Sequence, residues 1–116
     1  LQRLPLIVGQ GYAREIAFTV AFFNAQQAEK MALVNHVYSD QATLYEAARE
    51  LAVQIAENAP LAIECTKEVL NFSRNTGISE GMDLAIQKNM FLLATDDIKE
   101  AFVAFMEKRK PDFKGK

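Results

Sequence analysis

The fold is decided by residues 95–116, which read Thr95-Asp-Asp-Ile-Lys-Glu-Ala-Phe-Val-Ala-Phe-Met-Glu-Lys-Arg-Lys-Pro-Asp-Phe-Lys-Gly-Lys116. Apolar residues recur in this segment at i, i+3, i+4, i+7 and i+8, the spacing of a single helical stripe. The stripe consists of Ile98, Ala101, Phe102, Phe105 and Met106. The segment therefore predicts an amphipathic helix with aromatic side chains on one face.

Both ends of this helix carry terminal signals. Thr95 is placed to accept a hydrogen bond from an unpaired amide, and Asp96-Asp97 lies where the helix dipole favours negative charge. Lys108, Arg109 and Lys110 lie at the other end, and Pro111 is expected to stop the helix. An aromatic stripe beside a basic end could hold a ligand that has a flat ring and a phosphate.

Length and composition restrict the class of protein. A chain of 116 residues, half of them hydrophobic and 24% charged, predicts one helical domain over 1–116 with a core of its own. The net charge of −2 provides no broad field for nucleic acid. The single Cys65 cannot form an internal disulfide, which is typical of a reducing compartment. With no apolar run long enough to span a membrane and no secretory signal, we expect a cytoplasmic protein without membrane partners.

Helical periodicity covers most of the remaining chain. Turns or one short helical turn are expected in residues 1–11, and a short strand in Leu33–Tyr38 is the only plausible one. The predicted helices, with capping signals at Asn24, Asp40, Pro60, Gly77 and Ser79, are 12–22, 24–31, 41–57, 60–76, 79–94 and the terminal one. Short connections favour antiparallel neighbours. The predicted fold class is mainly α, a compact bundle of about five to six helices with at most one short strand.

The predicted helices differ in how much apolar surface they carry. The helix over 41–57 has one stripe expected to be buried, namely Leu44, Ala47, Ala48, Leu51 and Ile55. The helix over 79–94 is apolar on most sides, which predicts that it is central or covered by another chain. We expect self-association through this helix and the apolar run 16–23. The predicted interface residues are Ile16, Val20, Phe22, Phe23, Met82, Ile86, Met90 and Phe91.

No residue has a spacing that predicts catalysis or metal binding within this chain. His36 is expected to be structural or on the surface, and Cys65 to be a small core residue. One histidine and one cysteine do not make a closed metal site. Asp96 and Asp97 point about 100° apart on a helix, so they are not expected to act as a carboxylate pair.

Two stretches resemble one enzyme family. Residues 95–116 are similar to the carboxyl end of the crotonase superfamily, the enoyl-CoA hydratases and isomerases. A second match resembles the pattern that precedes it in that family: Leu4-Pro5, Gly9, Ala13, Glu15, Thr19, Asn24-Ala25, Ala28 and Leu33-Val34-Asn35. The resemblance implies the C-terminal helical domain of a crotonase without its upstream β/α spiral domain. Since the chain also begins without Met, we interpret it as a fragment.

The resemblance also implies a function. The intact family binds acyl-CoA thioesters as substrates, without a separate cofactor, and hydrates or isomerises enoyl-CoA in fatty-acid degradation. Its terminal helix reaches a neighbouring subunit's CoA site in a trimer, with a Phe near the adenine and a Lys near the ribose phosphate. In this chain those residues are Phe105 and Lys108, with Lys110 close by. The fragment alone is expected to be inactive, with further copies of itself, the missing N-terminal domain and acyl-CoA as its partners.

Other interpretations remain open at this point. Phe105 could be an ordinary core residue, and Lys108 a solvated residue at the helix end. The chain could be a stand-alone, natural or designed, self-associating helical module with no ligand. It could also be part of a complete enzyme whose catalytic half is simply not included.

The sequence departs from the family pattern at two places. Val20-Ala21-Phe22 stands where the family has Gly-Arg and one more residue, and Ala32 stands where a glycine is expected. Losing glycine favours a continued helix, and Phe22 adds apolar surface. We interpret these changes as drift or alteration that lets a different surface pack.

Overall fold

A computed structural model describes all 116 residues and contains six α-helices and no strand. The helices are α1 (Leu4–Thr19), α2 (Ala25–Lys30), α3 (Gln41–Ala56), α4 (Pro60–Asn75), α5 (Ile78–Leu93) and α6 (Asp96–Glu107). The mainly α prediction is therefore confirmed. None of these helices has the length and apolar character needed to cross a membrane.

The strand predicted over 33–38 does not form. The amides of Leu33 and Val34 donate instead to the carbonyl of Ala28, at 2.9 and 3.5 Å, and so continue the end of α2. A strand needs a neighbouring strand for its backbone groups, and this chain has none to offer. The alternating valines reflect a partly buried irregular segment.

Two helix starts follow local side-chain chemistry. Asn24 and Gln27 form a reciprocal capping box, in which each side chain accepts the other residue's backbone amide at 2.9 Å. The Asp40 carboxylate accepts the Thr43 amide at 2.8 Å, and this hydrogen bond lowers the pKa of Asp40. Both caps were predicted from the sequence and are confirmed.

The chain divides into two compact units, Leu1–Ala48 and Arg49–Lys116, with the boundary inside α3. The first unit has a small core of Val8, Ala13 and Met31, against which Leu4, Ile16 and Leu33 pack. Gly9, with φ of 78°, kinks α1 between its first turn and the rest of the helix. Residues 1–11, predicted to form turns or one short helical turn, thus contribute to α1 from Leu4 onward, with more helix than predicted.

In the second unit, α4 and α5 pack closely together. Cys65 is buried on α4, as predicted. Gly81 is buried on α5 beside Ser73, and a Cβ at position 81 would lie 2.8 Å from the Ser73 Cβ. The absence of a side chain at Gly81 therefore sets how closely these helices approach. Ser79 lies inside the first turn of α5 and does not cap it, because Gly77 takes the N-cap position.

Much of the apolar surface is exposed. No residue of α3 is buried, so the prediction of a buried stripe on this helix is wrong for this chain. The large residues of that stripe, Leu44, Leu51 and Ile55, are about half exposed. The amphipathic pattern indicated correctly that one face of the helix is apolar, but it carries no information about what covers that face.

Two residues other than glycine hold a left-handed backbone where the family resemblance expects glycine. Val20 has φ of 52° and ends α1 through a hydrogen bond from its amide to the Ile16 carbonyl, and Ala32 has φ of 59°. The expectation that losing glycine prolongs the helix is therefore wrong. The chain turns at both residues as it would at glycine, although the Cβ of each residue clashes with the backbone in this conformation.

We predict that Val20→Gly raises the free energy of unfolding by about 1 kcal/mol, because it removes left-handed strain that exceeds glycine's own entropic cost. Ala32→Gly should have the same sign and a smaller size, since alanine is not β-branched. Chemical denaturation measures both. The matched control Ala52→Gly, in an exposed part of α3, should instead lower the free energy of unfolding by about 1 kcal/mol, because glycine is a poor helix former. Destabilisation by Val20→Gly would contradict the left-handed assignment.

A second prediction concerns Gly81. Gly81→Ala should lower the melting temperature and cost about 1 kcal/mol or more, because the new methyl overlaps the Ser73 side chain. Gly11→Ala is the matched control, since nothing lies within 4 Å of the position that its Cβ would take on α1. That control should gain up to about 1 kcal/mol from helix propensity. Equal effects at both sites would show that α4 and α5 do not approach closely.

Candidate functional site

The predicted ligand face of α6 is exposed. The side chains of Phe102, Phe105 and Met106 are 67%, 80% and 79% exposed, whereas Asp97 and Ala104 on the other face are buried. The alternative that Phe105 is an ordinary core residue is therefore wrong for this chain. A phenyl ring left open to solvent on an ordered helix is free to stack on a flat ring.

The basic turn, defined as Lys108–Lys110, follows directly on this helix. Lys108 is the C-cap of α6 in a left-handed conformation, with φ of 53° and ψ of 40°. Its amide donates to the carbonyls of Ala104 and Phe105, and the Arg109 amide donates to Ala104 at 3.0 Å. The helix thus ends at Glu107, ahead of the predicted stop at Pro111, because the left-handed residue reverses the chain first.

Arg109 is held by two carboxylates of α6. Its Nη1 and Nη2 atoms donate to the two oxygens of Glu100 at 2.6 and 3.0 Å, and its Nε donates to Glu107 at 2.6 Å. Glu100 also accepts the Asp112 amide at 2.8 Å. The bond from Arg109 is the main cause that lowers the pKa of Glu100 to about 2.

Asp97 anchors the tail, defined as residues 111–116, which follows the basic turn. One of its oxygens accepts the Lys114 amide at 2.8 Å and the Gly115 amide at 3.2 Å, and the other accepts Gly115 at 3.0 Å. Gly115 has φ of 71°, a backbone that favours glycine. The sequence assigned Asp97 to N-terminal capping and dipole complementation, and its role as an anchor of the last residues was missed.

The start of α6 is capped differently from the prediction. The Thr95 hydroxyl donates to the Leu92 carbonyl at 2.7 Å and accepts no amide. The amides of Asp96 and Asp97 donate instead to the Lys116 backbone oxygen, at 2.7 and 3.2 Å. The returning tail satisfies the helix start because Asp97 holds it there.

The three predicted ligand residues differ in availability. Lys110 pairs with Glu57 at 2.7 Å, so its ammonium already has a partner. Lys108 and Phe105 are exposed. An apolar cleft of about 450 Å³ lies behind the tail, lined mainly by α4, α5, α6 and Phe113.

The predicted interface residues fall on exposed surface, with one exception. On α5, Met82, Ile86 and Met90 recur every four residues on one face, and Phe91 lies about 100° around the helix from Met90. All four are more than half exposed. In the first unit, Ile16 is half-buried and lines a cleft of about 210 Å³ together with Phe22 and Phe23. Phe22 is fully exposed and Val20 is 80% exposed. The role of these residues as an interface stays a prediction.

The remaining predictions concern His36 and metal binding. His36 is exposed, and its ring lies edge-on to Tyr38 with the centroids 6.3 Å apart. No group of three His, Cys, Asp or Glu side chains is arranged to hold a metal ion.

Comparison with known proteins gives a consistent result. The family model described as enoyl-CoA hydratase/isomerase matches residues 1–116. A Dictyostelium discoideum protein named Delta(3,5)-Delta(2,4)-dienoyl-CoA isomerase, mitochondrial, is 45% identical over 98% of this chain and 39% of its own length. The Escherichia coli 2,3-dehydroadipyl-CoA hydratase is 36% identical over 99% of this chain and 45% of its own length.

The fold is shared with solved structures. A crystal structure of enoyl-CoA hydratase from Bacillus anthracis superposes with a TM-score of 0.92 and 35% identity, covering 99% of this chain and 44% of that one. The chain spans about two-fifths of the length of the curated relatives it matches.

The Glu100–Arg109 pair predicts a specific acid response. Because the folded pKa of Glu100, about 2, lies below its ordinary value of 4.5, its contribution to stability is complete above about pH 4.5. That contribution is lost as the pH falls through about 2, since only the unfolded chain binds the proton in between. Glu100→Gln should lower the free energy of unfolding at neutral pH and flatten its fall between these values.

Denaturation series at several pH values measure this slope. Glu50→Gln on α3 removes the same charge from an exposed residue and should leave the slope unchanged. An unaltered slope in Glu100→Gln would contradict the pairing.

Proposed function

Because this chain belongs to the enoyl-CoA hydratase/isomerase family, we propose that it forms the C-terminal helical region of such an enzyme. In this proposal it supplies a subunit interface and one edge of the CoA pocket. The groups that hydrate the enoyl thioester or move its double bond lie in the part of the protein that this chain does not span. Relatives are named for isomerisation, for hydration and for both, so the choice between the two reactions stays open.

The observation that carries the proposal is that Phe105 and Lys108, both exposed, lie three residues apart at the end of α6. The phenyl ring is exposed, and the ammonium follows three residues later on a turn fixed by ion pairs. Stacking on an aromatic ring contributes about 1 to 3 kcal/mol per base, and a lysine supplies a charge-assisted bond to phosphate. An adenine nucleotide that carries a ribose phosphate, such as CoA, offers both groups.

The amount of exposed surface supports an interface. The accessible surface is 9441 Å² for a mass of 13.0 kDa. A folded monomer of this mass exposes about 6300 Å², and two separate globules of the sizes of its units expose about 7600 Å². The surface that this chain exposes beyond the value for two separate globules is comparable with the surface that a stable interface removes from water. Further copies of this chain in a trimer, and the remainder of the enzyme, are the proposed partners.

The substrate and location complete this proposal. We infer an acyl-CoA thioester as the substrate of the whole enzyme, in fatty-acid degradation. The relatives' names place the Dictyostelium protein in mitochondria and one from Arabidopsis thaliana in peroxisomes. A cytoplasmic location for this protein stays a prediction from its sequence.

A second candidate is a self-associating helical module without a ligand. It is favoured by the exposed apolar side chains of α3 and α5, which are not among the residues predicted to meet a ligand. Both candidates predict self-association, so sedimentation of a clean monomer at tens of micromolar would contradict both of them. Only the first predicts binding of CoA.

Titration calorimetry with CoA separates the two candidates. We expect saturable binding that Lys108→Ala weakens about tenfold, the effect of losing one hydrogen bond to a charged group. Lys99→Ala is the matched control, because Lys99 lies near the other end of α6 and pairs with Asp96. The 116-residue chain should not turn over crotonyl-CoA. Turnover, or loss of binding to the same extent in Lys99→Ala, would refute the proposed role.

A further inference from the structure

We propose that Glu100 is a positioning residue, which aims Lys108 at the ribose phosphate by fixing the basic turn. This inference rests on the proposed function, because it assumes that Lys108 meets a phosphate. Glu100 itself lies on α6, two turns before the lysine, and its contacts are with the turn and the tail rather than with the ligand face.

Both oxygens of Glu100 are engaged by the chain that follows Lys108. One accepts from Arg109 at 2.6 Å and from the Asp112 amide at 2.8 Å, and the other accepts from Arg109 at 3.0 Å. The two parallel bonds to the guanidinium fix its orientation as well as its position. Glu100 therefore holds the backbone on the carboxyl side of Lys108 from residue 109 to residue 112.

The other two cations of the turn are already engaged. Arg109 donates to Glu100, Glu107 and the Lys110 carbonyl, which is 3.1 Å from its Nη1. The Lys110 ammonium is paired with Glu57. Lys108 is the cation of the turn that forms no ion pair, so it is the one available to a phosphate without breaking an existing contact.

Lys108 depends on its neighbours for its direction. Its left-handed backbone is unfavourable for a residue with a Cβ, and at an open helix end it would be free to relax. Arg109, the residue that follows Lys108, is attached twice: its amide is bonded to the Ala104 carbonyl, and its guanidinium to Glu100. Removing Glu100 breaks the bond to the Arg109 guanidinium, and the Lys108 side chain then samples other directions.

Electrostatics alone predicts the opposite effect. Glu100 carries a negative charge near the turn, so replacing it with Gln should tighten binding of a phosphate if only charge mattered. Positioning predicts that Glu100→Gln weakens this binding. The sign of the change therefore distinguishes the two explanations.

The experiment compares CoA with 3′-dephospho-CoA, which lacks only the ribose phosphate. The dissociation constant of 3′-dephospho-CoA divided by that of CoA measures the contribution of that phosphate in the wild type and in each variant. We expect Lys108→Ala to bring the ratio close to one, and Glu100→Gln to lower it at least about twofold, a size usual for residues in contact. Glu50→Gln, which removes an exposed charge from α3, should leave it unchanged.

A double-mutant cycle with Arg109→Gln tests whether Glu100 acts on Lys108 through Arg109. If Glu100 acts through Arg109, the double variant should lower the ratio no further than either single variant. Hydrogen exchange without ligand supplies an independent measurement, in which Glu100→Gln should speed exchange of the Arg109 and Asp112 amides. Together these results would support the assignment.

Several outcomes would overturn it. A ratio in Glu100→Gln that is unchanged or raised, while Lys108→Ala lowers it, contradicts positioning and leaves the proposed function intact. Unchanged amide exchange in Glu100→Gln overturns the assignment independently of any ligand. A wild-type chain that binds neither nucleotide refutes the proposed function and this inference together.

Discussion

The attachment of residues 109–116 to α6 is the constraint on which the candidate site depends. Glu100 holds the guanidinium of Arg109, and Asp97, one turn earlier, holds the amides of Lys114 and Gly115. The returning tail in turn supplies the Lys116 oxygen to the first amides of the helix. The tail and the helix therefore stabilise each other, and the left-handed Lys108 lies where they join.

The division of α6 into two faces follows from this attachment. Asp97 and Ala104 are buried, so the buried side includes a carboxylate with a complete set of backbone donors. The aromatic side chains of Phe102 and Phe105 are left exposed. A helix that stabilised only its own chain would bury the phenyl rings, since each contributes a large apolar area.

The sequence predicted those parts of the fold that depend on neighbours along the chain. The Asn24–Gln27 box, the Asp40 cap and the start of α4 at Pro60 all rest on contacts within one turn, and all three formed. The strand over 33–38 and the buried stripe of α3 failed, because each depends on what lies opposite. Thr95 takes the predicted N-cap position, but the Lys116 oxygen rather than the Thr95 hydroxyl accepts the first amides of α6. Phe105, Lys108 and Lys110 were named from the family resemblance. The Glu100–Arg109 pair was missed because nine residues and a reversal of the chain separate its members.

Charge explains why the basic turn has one cation without an ion pair rather than three. A cluster of three cations would raise its own electrostatic energy unless acids were nearby. Glu100, Glu107 and Glu57 neutralise Arg109 and Lys110, and each pairing also fixes a piece of backbone. The same contacts that remove two positive charges from competition therefore hold the third in place. In the proposed role, a phosphate at this turn would meet a single charge held in a defined position, an arrangement that favours recognition of one group over general attraction to anions.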